Sequence, residues 1–149
     1  MSLTLIVICL LLACIPIGIL IKRTRDRRLI EVHTITPEAL HRLVDSNPEL
    51  LVLDVRQPLD LLADSEIIPG STRIPPKDVL RDPSLIPNNK DAVIYCTCPG
   101  DETSRRVLRE ALHRHLSRIR VLRGGLAGWK AKGYPVVPYN DTFHLDTRT

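Results

Sequence analysis

Apolar positions follow two different patterns along the chain. Residues Leu3 to Ile21 carry no charged side chain and form one apolar run, whereas apolar and charged residues are mixed from Lys22 onward. Nineteen residues in a helix span about 28 Å, which is close to the hydrocarbon thickness of a bilayer. The pattern therefore predicts a transmembrane helix over residues 3–21, in which Pro16 introduces a kink.

Short apolar runs and helical stripes alternate through the rest of the chain. Thr36 followed by Pro37 and Glu38 is typical of a helix start, with a capping hydroxyl, a proline and an acid in the first turn. Thr36 therefore caps a predicted helix over residues 37–45. The longest predicted helix covers residues 103–116, and shorter ones are predicted near residues 59–64, 77–80 and 126–133.

Five short β-rich segments are predicted to be strands. They cover residues 29–33, 50–55, 71–74, 92–96 and 119–122. Strands that alternate with helices at this spacing indicate an α/β domain with a mainly parallel sheet. Sites in such sheets lie at the carboxyl ends of strands. Two strand ends carry reactive side chains, one at Asp54 to Arg56 and one at Cys96 to Cys98.

The basic charge of the chain is concentrated in one short segment. Residues 22–28 hold five of the 21 Lys and Arg and one of the 17 Asp and Glu, which leaves 16 of each sign elsewhere. A nucleic-acid-binding role needs a basic face on the folded domain, so none is expected. By the positive-inside rule the cluster predicts a single-pass cell-membrane protein with its soluble domain in the cytoplasm. A cleaved signal peptide would carry its charge before the apolar run and a small-residue cleavage site after it, which this chain lacks.

Cysteine placement separates two kinds of thiol. Cys9 and Cys14 lie in the apolar run, whereas Cys96 and Cys98 are the cysteines of the remaining chain. A pair separated by one residue is not the disulfide framework of a secreted domain. A cysteine between a strand end and a helix N-terminus is well placed to ionise, because the first-turn N–H groups stabilise a thiolate. This placement suits a nucleophile that becomes a persulfide, although a buried structural cysteine explains it equally well.

Three segments in order resemble the rhodanese (sulfurtransferase) family. They are LLVLDVRQPLDLL with IPGSTRIP, AVIYC with its loop, and VLRGGLAGWKAKGYPV. The resemblance implies a small α/β domain around a five-stranded, mainly parallel sheet flanked by helices, over residues 31–137. The predicted organisation is a transmembrane helix at 3–21, a basic linker at 22–30, this domain, and a C-terminal tail at 138–149.

The resemblance implies a cysteine nucleophile that carries sulfur as a persulfide. It assigns that role to Cys96, which would take sulfur from a small donor and pass it to a thiol or to cyanide, with no cofactor and no metal. Asp54 and Arg56 match the family pair that braces the active-site loop. Trp129 is interpreted as a core residue. The loop and substrate-binding residues implied are Thr97, Cys98, Pro99, Gly100, Asp101, Glu102, Thr103 and Ser104.

The loop departs from the usual family pattern. Counted from Cys96 it is two residues too long, whereas counted from Cys98 it has the usual length. Strand alignment favours Cys96 and loop length favours Cys98, which is an alternative nucleophile or a resolving cysteine. Pro99 removes one N–H, and Asp101 and Glu102 are expected to raise the thiol pKa and repel an anionic donor.

Other features of the sequence keep further interpretations open. Ile67 replaces the family's histidine, and together with the acidic loop it suggests a membrane-tethered binding module without activity. The Cys-x-Cys-Pro loop resembles rhodanese modules attached to bacterial DedA-type membrane proteins, which suggests a membrane protein partner. Another hypothesis is a dithiol redox role, in which Cys98 attacks a persulfide on Cys96, releases sulfide and leaves a disulfide.

Two weaker interpretations follow from single motifs. A Cys-x-Cys pair can hold soft metals such as Cu(I), but His113 and His115 lie about three turns into the following helix. A phosphatase of the same fold needs arginine six positions after its cysteine, and that position holds Glu102 or Ser104. The sequence leaves the sulfur donor, the acceptor and the oligomeric state undetermined.

Overall fold

The computed structural model describes residues 3–140, without the side chains of residues 3–13 and of Pro99. These residues form two units, one up to Val32 and one from His33. No helix within the described part of the chain is both long enough and apolar enough to cross a membrane. Because the first part of the expected span, residues 3–13, lies outside the described side chains, the membrane anchor stays a prediction.

The first unit is a single helix that continues past the apolar run. The predicted strand at residues 29–33 is wrong, because α1 (Leu3–Val32) extends through most of it. Arg, Leu and Glu are good helix formers, and adding a residue to an existing helix costs far less than nucleating one. A five-residue run with only three apolar residues is too short for periodicity to separate strand from helix.

A five-stranded, all-parallel sheet forms the centre of the second unit, as predicted. The strands of the chain are β1 (Thr34–Ile35), β2 (Leu51–Asp54), β3 (Glu66–Ile67), β4 (Thr72–Arg73), β5 (Ala92–Tyr95), β6 (Ile119–Leu122) and β7 (Val137–Pro138). The order across the main sheet is β1-β6-β5-β2-β4. The central strand is β5, every residue of which is buried, as expected for a parallel strand covered on both faces.

Helices cover both faces of this sheet. They are α2 (Pro37–Ser46), α3 (Pro58–Ala63), α4 (Pro76–Arg81), α5 (Glu102–His113) and α6 (Gly125–Ala131), with 3₁₀ turns at Pro83–Leu85 and Pro99–Asp101. One core joins α2 and α6 to the sheet through Leu40, Leu126 and Trp129. On the other side α5 packs against β6 and α4 and buries Val107 and Leu108.

The helix start predicted at Thr36 is confirmed in detail. The Thr36 hydroxyl accepts a hydrogen bond from the Ala39 N–H at 3.3 Å, and Pro37 occupies the first helical position. The helix predicted at residues 103–116, by contrast, begins at Glu102 and ends at His113. His115 has a left-handed φ of 63°, a conformation that cannot continue a right-handed helix.

A second, two-stranded sheet was not predicted from the sequence. β3 pairs with β7 in antiparallel register, and β7 contains Pro138, the first residue of the predicted tail. Both strands are two residues long, too short for an alternating pattern to be visible. Residues 141–149 of that tail lie outside the described residues.

Candidate functional site

Three neighbouring strands end at the same edge of the sheet. β5 lies between β6 and β2, so Cys96 at the end of β5 is flanked by Gly124 after β6 and by Asp54 at the end of β2. The chain leaves β2 toward β4 and leaves β5 toward β6, in opposite directions across the sheet. A crevice at such a reversal is the usual binding place in parallel α/β sheets.

The two loop cysteines lie in direct contact with each other. The Cys96 Sγ and Cys98 Sγ atoms are 2.8 Å apart. Cys96 is fully buried, whereas Cys98 is partly exposed. The Cys98 sulfur also accepts a hydrogen bond from the Thr103 N–H at 3.2 Å, in the first turn of α5. The helix N-terminus is therefore directed at Cys98, as the expected stabilisation of a thiolate requires.

The surroundings shift the pKa values of the two thiols in opposite directions. Burial and the hydrogen bond to Cys98 raise the pKa of Cys96 above its ordinary value. Burial also acts to raise the pKa of Cys98, but hydrogen bonds from the Cys96 thiol and from Thr103 outweigh it and lower that pKa overall. Of the two thiols, Cys98 therefore ionises more readily, and Cys96 is the donor of the contact when Cys98 is a thiolate.

The acidic loop residues do not act as the sequence suggested. Asp101 is buried, and one of its carboxylate oxygens accepts a hydrogen bond from the Gly124 N–H at 2.9 Å. Burial raises the pKa of Asp101, which the Gly124 hydrogen bond and the charge of Arg105 partly offset. Glu102 is exposed at the start of α5. The pKa shifts of Cys96 and Cys98 arise from burial and from hydrogen bonds with each other, with Thr103 and with Ser104, rather than from the charge of these acids.

Two consecutive left-handed residues shape the loop between Cys98 and α5. Gly100 has a φ of 67° and Asp101 a φ of 56°. A left-handed conformation is ordinary for glycine and is tolerated by aspartate. This turn brings the Asp101 carboxylate onto the Gly124 N–H. The loop is therefore tied to the end of β6 through a side chain that the sequence had assigned only to substrate binding.

Ser104 contributes a buried hydroxyl beside the cysteines. The residue is fully buried, and its Oγ has no hydrogen-bond partner of good geometry among the described residues. Its hydroxyl and N–H nevertheless face the Cys96 sulfur closely enough to oppose the rise in the pKa of Cys96. A buried polar atom without a partner is uncommon, so this hydroxyl is free to donate to a group bound in the loop. Thr97 is half-buried.

Gly125 permits the closest backbone approach in the site. A Cβ atom on Gly125 would lie 2.0 Å from the Cys96 carbonyl oxygen, which also accepts a hydrogen bond from the Leu126 N–H at 3.1 Å. The glycine pair of the VLRGGLAGWKAKGYPV segment therefore meets a need of the backbone, as expected for glycines in such a place. The signal that could have found this role is the position of two glycines directly after a strand that neighbours the cysteine strand.

A fully buried ion pair closes the end of β2. The Arg56 guanidinium contacts both carboxylate oxygens of Asp54, at 2.6 Å for the shorter pair. The same guanidinium donates to the carbonyl oxygens of Asp64 at 2.6 Å and Glu66 at 3.0 Å. The pair predicted to brace the loop therefore ties β2 to the segment that enters β3.

Tyr95 is a site neighbour that sequence reasoning missed. Its hydroxyl lies 3.0 Å from the Ser71 hydroxyl and accepts a hydrogen bond from the Ile68 N–H at 3.3 Å. Burial and the charge of Asp54 raise the pKa of Tyr95, so it stays neutral. The residue directly before Cys96 is thus anchored to the turn between β3 and β4. Nothing in the local sequence distinguishes this tyrosine from an ordinary core residue.

A cavity also lies away from the cysteine loop. A cavity of about 630 Å³ is lined by residues around the 3₁₀ turn at Pro83–Leu85 and by Arg114 and Leu116. These segments precede β5 and follow α5, so the cavity lies toward the amino ends of the strands, away from the cysteines. No group of three or more His, Cys, Asp and Glu within the described residues is arranged to hold a metal ion.

Comparisons with known proteins agree with this fold. The family model of the rhodanese-like domain matches residues 36–132. A sulfurtransferase of Allochromatium vinosum is 27% identical over 106 residues, which cover 71% of this chain and 95% of that protein. Among solved structures, a full-length protein from Lactobacillus plantarum has a TM-score of 0.66 at 22% identity, with 78% of this chain and 97% of that chain covered. A thiosulfate sulfurtransferase from Pseudomonas aeruginosa has a TM-score of 0.59 at 25% identity, over 74% of this chain and 21% of that chain.

Proposed function

The chain belongs to the rhodanese-like domain family, and we propose that it is a sulfurtransferase in which Cys98 carries the sulfur as a persulfide. The observation that carries this proposal is the half-exposed Cys98 sulfur, which accepts the Thr103 N–H at the start of α5. The similarity to the sulfurtransferase of Allochromatium vinosum supports the same activity. The strand alignment that favoured Cys96 is outweighed by the burial of that thiol.

The chemistry assigned to Cys98 needs a thiolate and a place for negative charge. The Cys98 thiolate attacks the outer sulfur of a donor, a Cys98–sulfur bond forms, and the donor leaves with the electron pair of its own bond. The terminal sulfur of the resulting persulfide carries negative charge, which the N–H groups at the start of α5, among them that of Thr103, would stabilise. A thiol or cyanide acceptor then attacks that terminal sulfur and regenerates Cys98.

The acids of the loop do not oppose this role strongly. The Asp101 carboxylate is committed to the Gly124 N–H, and its raised pKa reflects the cost of keeping its charge in a buried place. These contacts weaken the main argument for a binding module without activity, which was that acids would repel an anionic donor.

The membrane setting of this activity is part of the proposal. It rests on the uncharged run at residues 3–21 and the basic cluster that follows, together with the resemblance of the Cys-x-Cys-Pro loop to modules of DedA-type membrane proteins. A domain in the cytoplasm, held at the cell membrane, would hand its sulfur to an acceptor or partner protein there. Fractionation of cells that express the full chain would test this, and recovery in the soluble fraction would contradict it.

The decisive test is sulfur loading of the full-length chain. The reduced protein is incubated with glutathione persulfide, and its intact mass is measured next to the variants Cys98→Ser, Cys96→Ser and Cys14→Ser. We expect Cys98→Ser to abolish the gain of one sulfur and Cys96→Ser to retain it, because only Cys98 combines access with a lowered pKa. Cys14→Ser is the matched control, since this exposed cysteine lies in α1 outside the domain.

The other outcomes each discriminate. Loading that persists in Cys98→Ser and vanishes in Cys96→Ser would return the nucleophile to Cys96. A folded, reduced protein that gains no sulfur from any donor would replace the sulfurtransferase by the membrane-tethered binding module.

A further inference from the structure

The contact between the two cysteine sulfurs has a use that sulfur transfer alone does not require. Transfer to an outside acceptor needs one exposed sulfur, and Cys98 supplies it. Cys96, with 0% of its surface exposed, cannot meet an outside donor or acceptor, yet its sulfur lies 2.8 Å from that of Cys98. A second thiol held at this distance can react with Cys98 when Cys98 carries sulfur as a persulfide.

We propose that Cys96 is a resolving cysteine, which discharges the Cys98 persulfide as sulfide and leaves a Cys96–Cys98 disulfide. This inference rests on the proposed function, because it needs sulfur on Cys98. It adds a second activity to the domain, the reduction of sulfane sulfur to sulfide at the expense of a dithiol. The roles are the reverse of those in the sequence-based hypothesis, in which Cys98 attacked a persulfide on Cys96.

The reaction balances without an outside oxidant. The Cys96 thiolate attacks Cys98 Sγ, the Sγ–Sγ bond forms, and the bond from Cys98 Sγ to the outer sulfur breaks. The outer sulfur leaves with the electron pair of that bond and takes up the proton that Cys96 released, so one hydrosulfide ion (HS⁻) is formed. The outer sulfur is reduced while the two cysteine sulfurs are oxidised together. A dithiol reductant then attacks the exposed Cys98 sulfur and returns both cysteines to thiols.

The contact between the two sulfurs favours this internal attack, whereas the raised pKa of Cys96 slows it. Two groups held in contact react as though one were present at a very high concentration. Burial raises the pKa of Cys96, so that few molecules hold the attacking thiolate near neutral pH. An outside acceptor therefore has time to take the sulfur first, and sulfide release becomes the default when no acceptor arrives. Its rate should rise with pH, because the thiolate fraction of Cys96 rises.

The two cysteines differ in their access to solvent. Cys98 is partly exposed, and the Thr103 N–H that bonds its sulfur lies at the first turn of α5. Cys96 is fully buried, and its carbonyl oxygen lies so close to Gly125 that a Cβ atom on that glycine would be 2.0 Å away. Sulfide can therefore depart from Cys98 toward solvent while Cys96 stays covered.

The test follows sulfur and mass together in the full-length protein. Reduced protein is loaded with glutathione persulfide under argon, freed of excess donor, and assayed over time for sulfide and for intact mass. We expect the wild type to release one sulfide per chain, to end two hydrogen atoms lighter than the reduced protein, and to yield a cross-linked Cys96–Cys98 peptide. Cys96→Ala should keep the extra sulfur on Cys98 and release sulfide at least about tenfold more slowly.

The outcomes separate this inference from the proposed function. Equal persulfide lifetimes in the wild type and Cys96→Ala would overturn the resolving role and leave the sulfurtransferase intact. Sulfur found on Cys96 in Cys98→Ser would overturn both. If Cys96→Ala fails to fold, Cys96→Ser is measured in its place. Independently of either variant, sulfide release by the wild type without a Cys96–Cys98 cross-linked peptide would refute the mechanism.

Discussion

The ends of β2 and β5 lie side by side in the sheet, yet their polar groups are treated in opposite ways. At the end of β2 the Arg56 side chain contacts the Asp54 carboxylate and two backbone carbonyl groups, entirely away from solvent. At the end of β5, Cys98 is partly exposed and the buried Ser104 hydroxyl lacks a partner. Buried polar groups that make all their hydrogen bonds stabilise the structure, whereas those without a partner are available to a ligand.

This contrast teaches where to look for chemistry in a small domain. Charge and burial are highest at the Asp54–Arg56 pair, but a pair with all its bonds made has nothing to offer a substrate. The cysteine loop is less buried and holds a polar side chain without a hydrogen-bond partner. Changes at the two strand ends should therefore separate stability from reactivity.

The largest effect is expected from breaking the buried ion pair. Arg56→Ala leaves the Asp54 carboxylate buried without its partner, which should lower the free energy of unfolding by about 3–5 kcal/mol. The matched control is Arg81→Ala, which removes an exposed Arg81–Asp78 pair and should cost less than about 1 kcal/mol. Denaturant titration of the two variants measures both values. A similar decrease in the free energy of unfolding for the two variants would contradict the special role of the buried pair.

A smaller effect that touches both stability and reactivity is expected at Gly125. Gly125→Ala and Gly133→Ala share the strain of a positive φ, but only the first places a Cβ against the Cys96 carbonyl oxygen. Gly125→Ala should therefore cost about 1–3 kcal/mol more than Gly133→Ala. It should also reduce sulfur loading, because the loop must shift, whereas Gly133→Ala should load normally. A folded Gly125→Ala protein with normal loading would show that the close approach does not position the cysteines.

The smallest effect expected is a change in titration with little change in stability. The Cys96 thiol donates a hydrogen bond that helps to lower the pKa of Cys98. Cys96→Ala removes this donor, so the pH at which Cys98 begins to react with iodoacetamide should move upward. Cys96→Ser keeps a hydroxyl donor and should move it less. The pH profile of alkylation at Cys98, followed by peptide mass, gives the comparison.

The sign of that prediction follows from which form reacts. Only the thiolate is alkylated, and its fraction increases as the pH rises through the pKa. A lowered pKa therefore means that reactivity appears at lower pH in the wild type. A profile in Cys96→Ala that is unchanged or shifted downward would show that the contact between the sulfurs does not stabilise the Cys98 thiolate.

Local sequence was enough to identify the main elements of the domain. The buried strands at residues 50–55 and 92–96 could be predicted because short apolar β-rich runs suit parallel strands. The helix start at Thr36 could be predicted because an N-cap depends only on residues close in sequence. The sequence did not predict the length of α1, the early end of α5 or the pairing of β3 with β7. Helix extension depends on weak differences in propensity, and two-residue strands leave no periodic trace.

By itself, the sequence determined the α/β class, the family and the loop that carries the cysteines, since these depend on order, spacing and residue type. Which cysteine is accessible was decided only by the tertiary structure. The folded domain buries Cys96. It also places the Thr103 N–H of α5 on the Cys98 sulfur and the Asp101 carboxylate on the Gly124 N–H after β6. The pKa of a thiol depends on its solvent exposure and on the donors around it, and neither quantity exists until the sheet and its helices have assembled.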